Sequence, residues 1–575
     1  MVLSRFAHTL ARLLPLLLFT FAVRAQRAAD RPPAADPFGR RAVLARAVPG
    51  GRYRSHQVFH DYDTTKHEWT RLILEVQATD GSIRRIQTWA PGVVKISYFA
   101  PGQRPVADSS LSVVQPPQPV AYETYCNHGC DGPPPMEMIK RYGLNICSGV
   151  YVYPDKLAFG VNCQGFELDK KTLAIKIHGH SLGEQPLLSE AVTPFCRQPT
   201  TQHTGDIPPS RIDELAGTGV RFHLQPGERL YGTGSRALPL DRRGYRLELY
   251  NQAHYGSQNG EPNLNIALPV VLSSRGYLLL FDHYAAGYLD LGKTDKNVLE
   301  YGGEGLTSLS YFVVTGRDQA EILDRYTALT GRQPLPPRWA LGLIQSRFGY
   351  KSSEEVSAVA TRMRRENFPL DALVLDLYWF GGTTRQGDFA WDKSHFPDPA
   401  GLMAGLKKQN INTILISEPY VMRTSRNDSA VRAQGLVGTD AQGRPFTVGS
   451  FWAGPASILD MFKPSARRWL WDRYKTLHDQ GAAGWWSDLG EPENHPDAMR
   501  HTLGPTRAVH NAYGQAWASI FQENYAKDYP DERVFNLARS GWAGMQRNGV
   551  FPWSGDVNRS WSGLQAQVPV MLGLG

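Results

Sequence analysis

Long apolar runs are scarce in this chain of 575 residues: no stretch reaches the 18 or so apolar residues that a membrane-spanning helix needs. Low-complexity tracts and internal repeats are missing too. With 42% hydrophobic and 20% charged residues, the composition excludes a disordered chain. Neither HExxH nor CxxC occurs, which argues against the common zinc peptidases and thiol redox enzymes. Cysteine is rare. Cys126, Cys130, Cys147, Cys163 and Cys196 are the full set, and no cysteine follows them to carry chemistry later in the chain. Their odd number leaves at least one thiol over if disulfides form. Only Cys126 and Cys130 approach a zinc half-site spacing, and no second pair follows. No metal or cofactor is expected. A basic binding face is also lacking, despite a formal net charge of +8. Residues 1–55 hold ten Lys/Arg against two Asp/Glu, which leaves 52 of each sign in the rest. The basic excess is terminal, so nucleic acid is not an expected partner.

Residues 1–25 read as a secretory signal. Arg5 and Arg12 precede an apolar stretch over 13–23, and Val23-Arg24-Ala25 forms the cleavage site. Export to the periplasm or medium is expected, with no transmembrane segment after cleavage. Residues 26–55, rich in Ala, Arg and Pro, read as a linker.

Residues 56–335 carry short, partly alternating runs (71–78, 93–99, 245–250, 266–272, 277–281 and 308–314) bounded by Gly, Pro, Asn or Asp. These predict an N-terminal antiparallel β-sandwich. Residues 118–215 have weak periodicity. Pro334, Pro336 and Pro337 mark a boundary. Over 336–575, short apolar strands then alternate with amphipathic helices. Strands are expected at 339–347, 373–380, 413–421, 484–488, 533–539, 551–555 and 568–574. Helices are expected after Ser352, around 402–406, and at 465–478 and 507–526. Ser352 with Glu355 forms a capping box. The alternation predicts an α/β (β/α)8 TIM barrel, with a doubly wound sheet as the alternative.

Two motifs match by letter and fail by context. GHSLG at 179–183 lacks the helix a nucleophile elbow requires, because Pro186 follows. GYLDLGKT at 287–294 alternates like a strand instead of forming a glycine-rich phosphate loop. What remains is a set of carboxylates among aromatics at successive strand ends: Asp376 near Tyr378 and Trp379; Glu418 before Tyr420; Asp488, Glu491 and Glu493 after Trp485-Trp486; Arg539 before Trp542; and Asp556 after Trp553. Paired carboxylates across a sugar-sized cleft are what glycoside cleavage needs, and aromatic faces pack on pyranose C–H groups. The 14 Trp fit such a surface or a large core equally well. On a strand Trp485 and Trp486 point oppositely, so one of them belongs to the core.

LDLYWF at 375–380, WWSDLGEPE at 485–493 and ARSGWAGMQRNGVFPWSGD at 538–556 resemble the catalytic barrel of glycoside hydrolase family 31, the α-glucosidases, α-xylosidases and α-transglucosylases. ERLYGTGS at 228–235 is similar to a turn of that family's N-terminal β domain. The resemblance implies a retaining enzyme acting on α-linked oligosaccharides by hydrolysis or α-1,4-glucosyl transfer. Asp488 matches the nucleophile, staying ionised beside Arg539. Asp556 matches the acid/base, holding its proton near neutral pH. Asp376 and Arg539 match binders of the sugar in subsite −1, with Trp452, Trp486 and Trp553 as aromatic walls. Glu491 matches an orienting carboxylate, and Glu418 is expected to pair with a nearby Arg or Asp. A loop carrying Tyr250 to Tyr255 is expected over the site. Leu377 stands where α-xylosidases often have Cys, which leans toward glucose. The chain ends inside the expected seventh strand, and the family's eighth strand and a site histidine have no counterpart. A truncated barrel is therefore expected, with an inactive sugar-binding remnant as the alternative to an enzyme. Oligomeric state is not legible.

Overall fold

The computed structural model describes residues 46–47, 51–63, 68–104, 110–118, 149–161, 164–178, 185–198, 219–306 and 308–574. The expected signal segment, four of the cysteines and the GHSLG stretch lie outside them; Cys196 falls in strand Leu188–Gln198.

The N-terminal half folds as two antiparallel sheets, one of ten strands and one of eight. Its strands alternate, so one face of each sheet is apolar and the two faces must meet. Rings from opposite sheets interlock there: Phe281 stacks on Tyr301 at 4.2 Å, and Tyr311 meets Phe222 edge-on at 5.4 Å. Each such fully buried ring contributes about 1.5–3 kcal/mol. The first sheet pairings begin inside the stretch expected to be a linker, with Arg46–Ala47 and Tyr53–Asp63. Helix Gln319–Thr330, capped by Asp318, leads out of the sandwich. The GYLDLGKT stretch begins as strand Gly287–Leu291, and the Asp290 carboxylate accepts from the Lys293 and Thr294 amides, which closes a turn and leaves no phosphate cradle.

The second half contains a curled sheet of parallel strands in chain order: β1 (Ile344–Gln345), β2 (Ala372–Leu375), β3 (Asn412–Ser417), β4 (Gly484–Ser487), β5 (Asn536–Ala538) and β6 (Val550–Pro552). Each strand lies beside the next in sequence, the order of a barrel wall; a doubly wound sheet would reverse it at a switch point. The helices are α1 (Ser353–Arg365), α2 (Pro399–Lys408), α3 (Pro464–Asp479), α4 (Tyr513–Asp528) and α5 (Trp561–Leu574). Ser352 caps α1 by accepting from the Glu355 amide, while the Glu355 carboxylate reaches back one residue further, to the Lys351 amide.

Several expected strands are shorter than read. Residues 339–347 form a 3-10 turn, Arg338–Leu341, before β1. Residues 373–380 leave the sheet at Asp376, whose carboxylate accepts from the Leu377 amide and starts the 3-10 turn Leu377–Phe380. Residues 413–421 break at Glu418-Pro419, because proline offers no ladder donor; Tyr420–Met422 pairs instead with Ala456–Ile458. The helix expected over 507–526 divides into Thr506–Val509, a 3-10 turn His510–Ala512, and α4. Residues 568–574 belong to α5 and not to a seventh strand. Gly563, Ala566, Val570 and Gly573 are its buried positions, and that 3-4-3 spacing is helical.

Candidate active site

The first residue after each of five successive strands forms a polar rim: Asp376 after β2, Glu418 after β3, Asp488 after β4, Arg539 after β5 and Trp553 after β6. Ser417 and Ser487 are partners in register, so Glu418 and Asp488 leave adjacent strands side by side. The Asp488 amide donates to the Ser417 carbonyl at 3.1 Å, and its Oδ1 accepts from the Leu489 amide at 2.9 Å. Leu489 takes a left-handed φ of 55°, a costly conformation for a leucine that turns the chain sharply behind Asp488.

Arg539 is buried among these acids. Its Nε lies 2.9 Å from Glu491 Oε1 and 3.2 Å from Asp488 Oδ1. Burial works against its charge, but Glu491 and Asp488 together hold its pKa above the usual value. Sharing has a consequence for Asp488. Burial pushes its carboxyl up to about 7, Arg539 pulls it down, and the charges of Glu491 and Asp556 push it up again. Burial and the neighbouring acids thus oppose the charge of Asp488, and the cation beside it serves Glu491 as well. Asp376 is raised to about 6, by burial and then by the charge of Asp556, against the Leu377 amide. Glu418 is pushed well up by burial and by Asp488. Its hydrogen bond comes from the Gln386 side chain and not from an arginine or aspartate.

Asp556 is exposed. It starts a two-residue strand, Asp556–Val557, that pairs in parallel with Tyr255–Ser257 from the sandwich. The loop expected over the site is thus in place. Tyr255 Oη lies 3.4 Å from Arg539 Nη2, and the Tyr255 ring centroid is 5.5 Å from the guanidinium carbon. Gly555 precedes Asp556 at φ 76°, and a Cβ there would stand 2.6 Å from Asn265 Oδ1, so glycine is required.

Trp486 and Trp553 meet edge-on at 5.2 Å, and Trp553 lies 5.7 Å from the Arg539 guanidinium. Trp485 points the other way, stacking on Phe521 of α4 and donating to Tyr525. Trp379 is core and donates to the Ile416 carbonyl. Trp452 stands half exposed and meets Phe451 edge-on at 5.8 Å. Sequence reading missed Asn265, whose amide donates to Glu491 at 3.1 Å, and Gln386. Both come from loops with no motif of their own. Trp486 Nε1, Glu491 Oε2 and Arg539 Nε have no hydrogen-bond partner among the described residues. No group of three His, Cys, Asp or Glu among those residues is arranged to hold a metal.

A sandwich thus leans a loop over a parallel-stranded wall rimmed with carboxylates. The chain belongs to glycosyl hydrolase family 31. The family's TIM-barrel domain matches residues 333–575, and its N-terminal galactose mutarotase-like domain matches residues 159–290. An uncharacterized family 31 glucosidase, ORF2, of Pseudescherichia vulneris is 31% identical over 62% of this chain and 65% of its own length. An alpha-xylosidase of Saccharolobus solfataricus is 29% identical over 63% of this chain and 48% of its own. This chain therefore spans about half to two thirds of these relatives. A family 31 dextranase of Flavobacterium johnsoniae, solved with glucose, shares the fold at TM-score 0.75 and 22% identity, covering 91% of this chain and 59% of that one.

Proposed function

We propose that this chain carries the catalytic machinery of an exported, retaining glycosidase that acts on α-glucosidic bonds of oligosaccharides by hydrolysis, glucosyl transfer or both. The observation that carries the reading is a convergence at the strand ends: Arg539 contacts Asp488 directly, and Tyr255, register partner of Asp556, reaches Arg539. Asp488 attacks the anomeric carbon. Substrate binding that engages Glu491 or displaces water would free Arg539 to hold Asp488 ionised. Asp556, exposed on its loop, is free to protonate the leaving oxygen and then to deprotonate the incoming water or sugar hydroxyl. The acceptor decides between hydrolysis and transfer. A glucosidase and a xylosidase among the relatives make glucosides and xylosides the two substrates to compare.

The test is a pair of variants. Asp488→Ala should lower kcat by about four orders of magnitude or more on every substrate. Asp556→Ala should spare activated aryl glycosides relative to oligosaccharides and be partly rescued by azide. An inverted product anomer by NMR would overturn the reading.

A further inference from the structure

One sandwich side chain borders both halves of the site. Residues 263–267 read Asn-Leu-Asn-Ile-Ala and lead into the strand Ala267–Ser273. Leu264, Asn265 and Ile266 are each no more than 1% exposed. The two apolar residues act as pegs. Leu264 joins a buried cluster with Ala237 and with Ala566 and Val570 of α5. Ile266 joins another with Ala518 of α4, Ala538 at the end of β5 and Val550 at the start of β6. The backbone here is held as well. The Ser235 amide donates to the Ile266 carbonyl at 2.7 Å, and the Ala267 amide donates to Asn251 Oδ1 at 2.8 Å. Turning this segment would break those contacts, so its neighbours set the direction of the Asn265 side chain.

Burying an amide between two apolar residues costs free energy unless it is hydrogen-bonded. Asn265 Nδ2 donates to Glu491 Oε1 at 3.1 Å. The same Oε1 lies 2.9 Å from Arg539 Nε, and that nitrogen lies 3.2 Å from Asp488 Oδ1. The amide group also lies against Gly555: a Cβ there would stand 2.6, 3.3 and 3.5 Å from Asn265 Oδ1, Cγ and Nδ2. Asp488 and Glu491 follow β4, whereas Gly555 and Asp556 follow β6. The two carboxyls of the reaction are thus carried by separate segments of the wall, and Asn265 borders both segments.

We propose that Asn265 is a positioning residue: pegged by Leu264 and Ile266, its amide orients Glu491, and with it Arg539 beside Asp488, and backs the turn that carries Asp556. The sandwich thereby sets the spacing of the two carboxyls. This rests on the roles proposed for Asp488 and Asp556. Retaining cleavage needs a carboxyl gap of about 5–5.5 Å, so a small shift of either segment is felt mainly in the transition state. Asn265 acts through its neighbours and not on the sugar, so its effect falls on kcat more than on KM.

Asn265→Ala removes both the donor and the surface behind Gly555. In the full chain it should lower kcat about 100-fold with KM within about threefold, and the loss should be greater on maltotriose than on a nitrophenyl α-glucoside, whose leaving group needs less help from Asp556. Exchange of the 554–557 backbone amides, read without substrate, should quicken about tenfold. Asn265→Leu keeps a branched group of similar size against Gly555 and removes only the donor. Its kcat should fall about tenfold, equally on both substrates, with 554–557 exchange as in the wild type. Ser273→Ala controls for mere loss of stability. At the far end of the same strand it removes a buried hydroxyl that donates to Glu228 Oε1 at 2.6 Å, and it should change neither the kcat of the folded fraction nor the exchange. Wild-type kcat in Asn265→Leu, or a Ser273→Ala protein that reproduces the Asn265→Ala losses, would overturn the proposal; the first of these decides even if Asn265→Ala does not fold. A wild-type chain inactive on α-glucosides and α-xylosides would count against the proposed function alone, and unchanged 554–557 exchange in Asn265→Ala would still count against Asn265.

Discussion

The sandwich and the barrel rim both bury carboxylates, and they treat them in opposite ways. In the sandwich each acid has its own partners. Glu190 accepts from Arg84 at 2.9 Å, Tyr311 at 2.7 Å and the Ile175 amide at 2.9 Å. Glu300 accepts from Arg221 and Tyr288, both at 2.5 Å. Glu228 accepts from Ser273, Tyr277 and the Gln225 amide. At the rim Asp488 and Glu491 share the single Arg539, and Glu418 makes do with an amide. A fully partnered buried acid fixes a core. Acids crowded around one cation keep protons that solvent would remove, and the folded chain bears that strain until something else engages them.

The contrast can be broken most forcefully in the sandwich. Arg84→Met leaves Glu190 buried without its cation, so stability should fall by about 3–5 kcal/mol. The specific activity of the folded fraction should not change. Denaturant melts beside active-site titration would check both, and a loss below 1 kcal/mol would mean that Tyr311 and the Ile175 amide suffice.

A smaller effect of opposite sign is expected at the rim. In the folded chain burial holds the Asp488 carboxyl well above its unfolded value of about 3.9. Between those values the folded chain holds a proton that the unfolded chain has released, so wild-type stability should drop as pH rises from about 4 to about 7. Asp488→Asn has no such proton. It should match the wild type near pH 4 and become progressively the more stable of the two as pH rises to 8, while losing activity. Parallel stability curves would show that Arg539 already satisfies Asp488. Least of all should follow from Glu366→Ala, which removes an exposed partner of Arg362 and Arg365. Its Tm should be unchanged within error, since a solvated pair contributes little to either region's stability.

How much of this was readable beforehand differs by level. The alternation after Pro337, the Ser352 cap and the acids at strand ends depend on local patterns, and the fold contains them. Strand ends were misread wherever a side chain captured the backbone, as Asp376 does with the Leu377 amide. The last segment was misread because an apolar run has no period that separates strand from helix, and α5 leaves Leu564, Val568 and Met571 exposed. Gln386 and Asn265 were not legible at all. Their partners lie on other elements, and nothing in the local sequence around Asn265 points to Glu491, 226 positions away.

The pairing of Tyr255 with the strand of Asp556, and the contact between Tyr255 and Arg539 across 284 positions, also govern when the site can exist during folding. Closing so long a loop is entropically costly and comes after the local hairpins and βα units have formed. The sandwich leaves the ribosome first, but its loop lacks its strand partner until the residues around 556 are made. The binding cleft is therefore among the last features to assemble. Partly folded chains would be well structured over much of their length and yet unable to engage sugar, so ligand binding would report completed folding more strictly than secondary structure does.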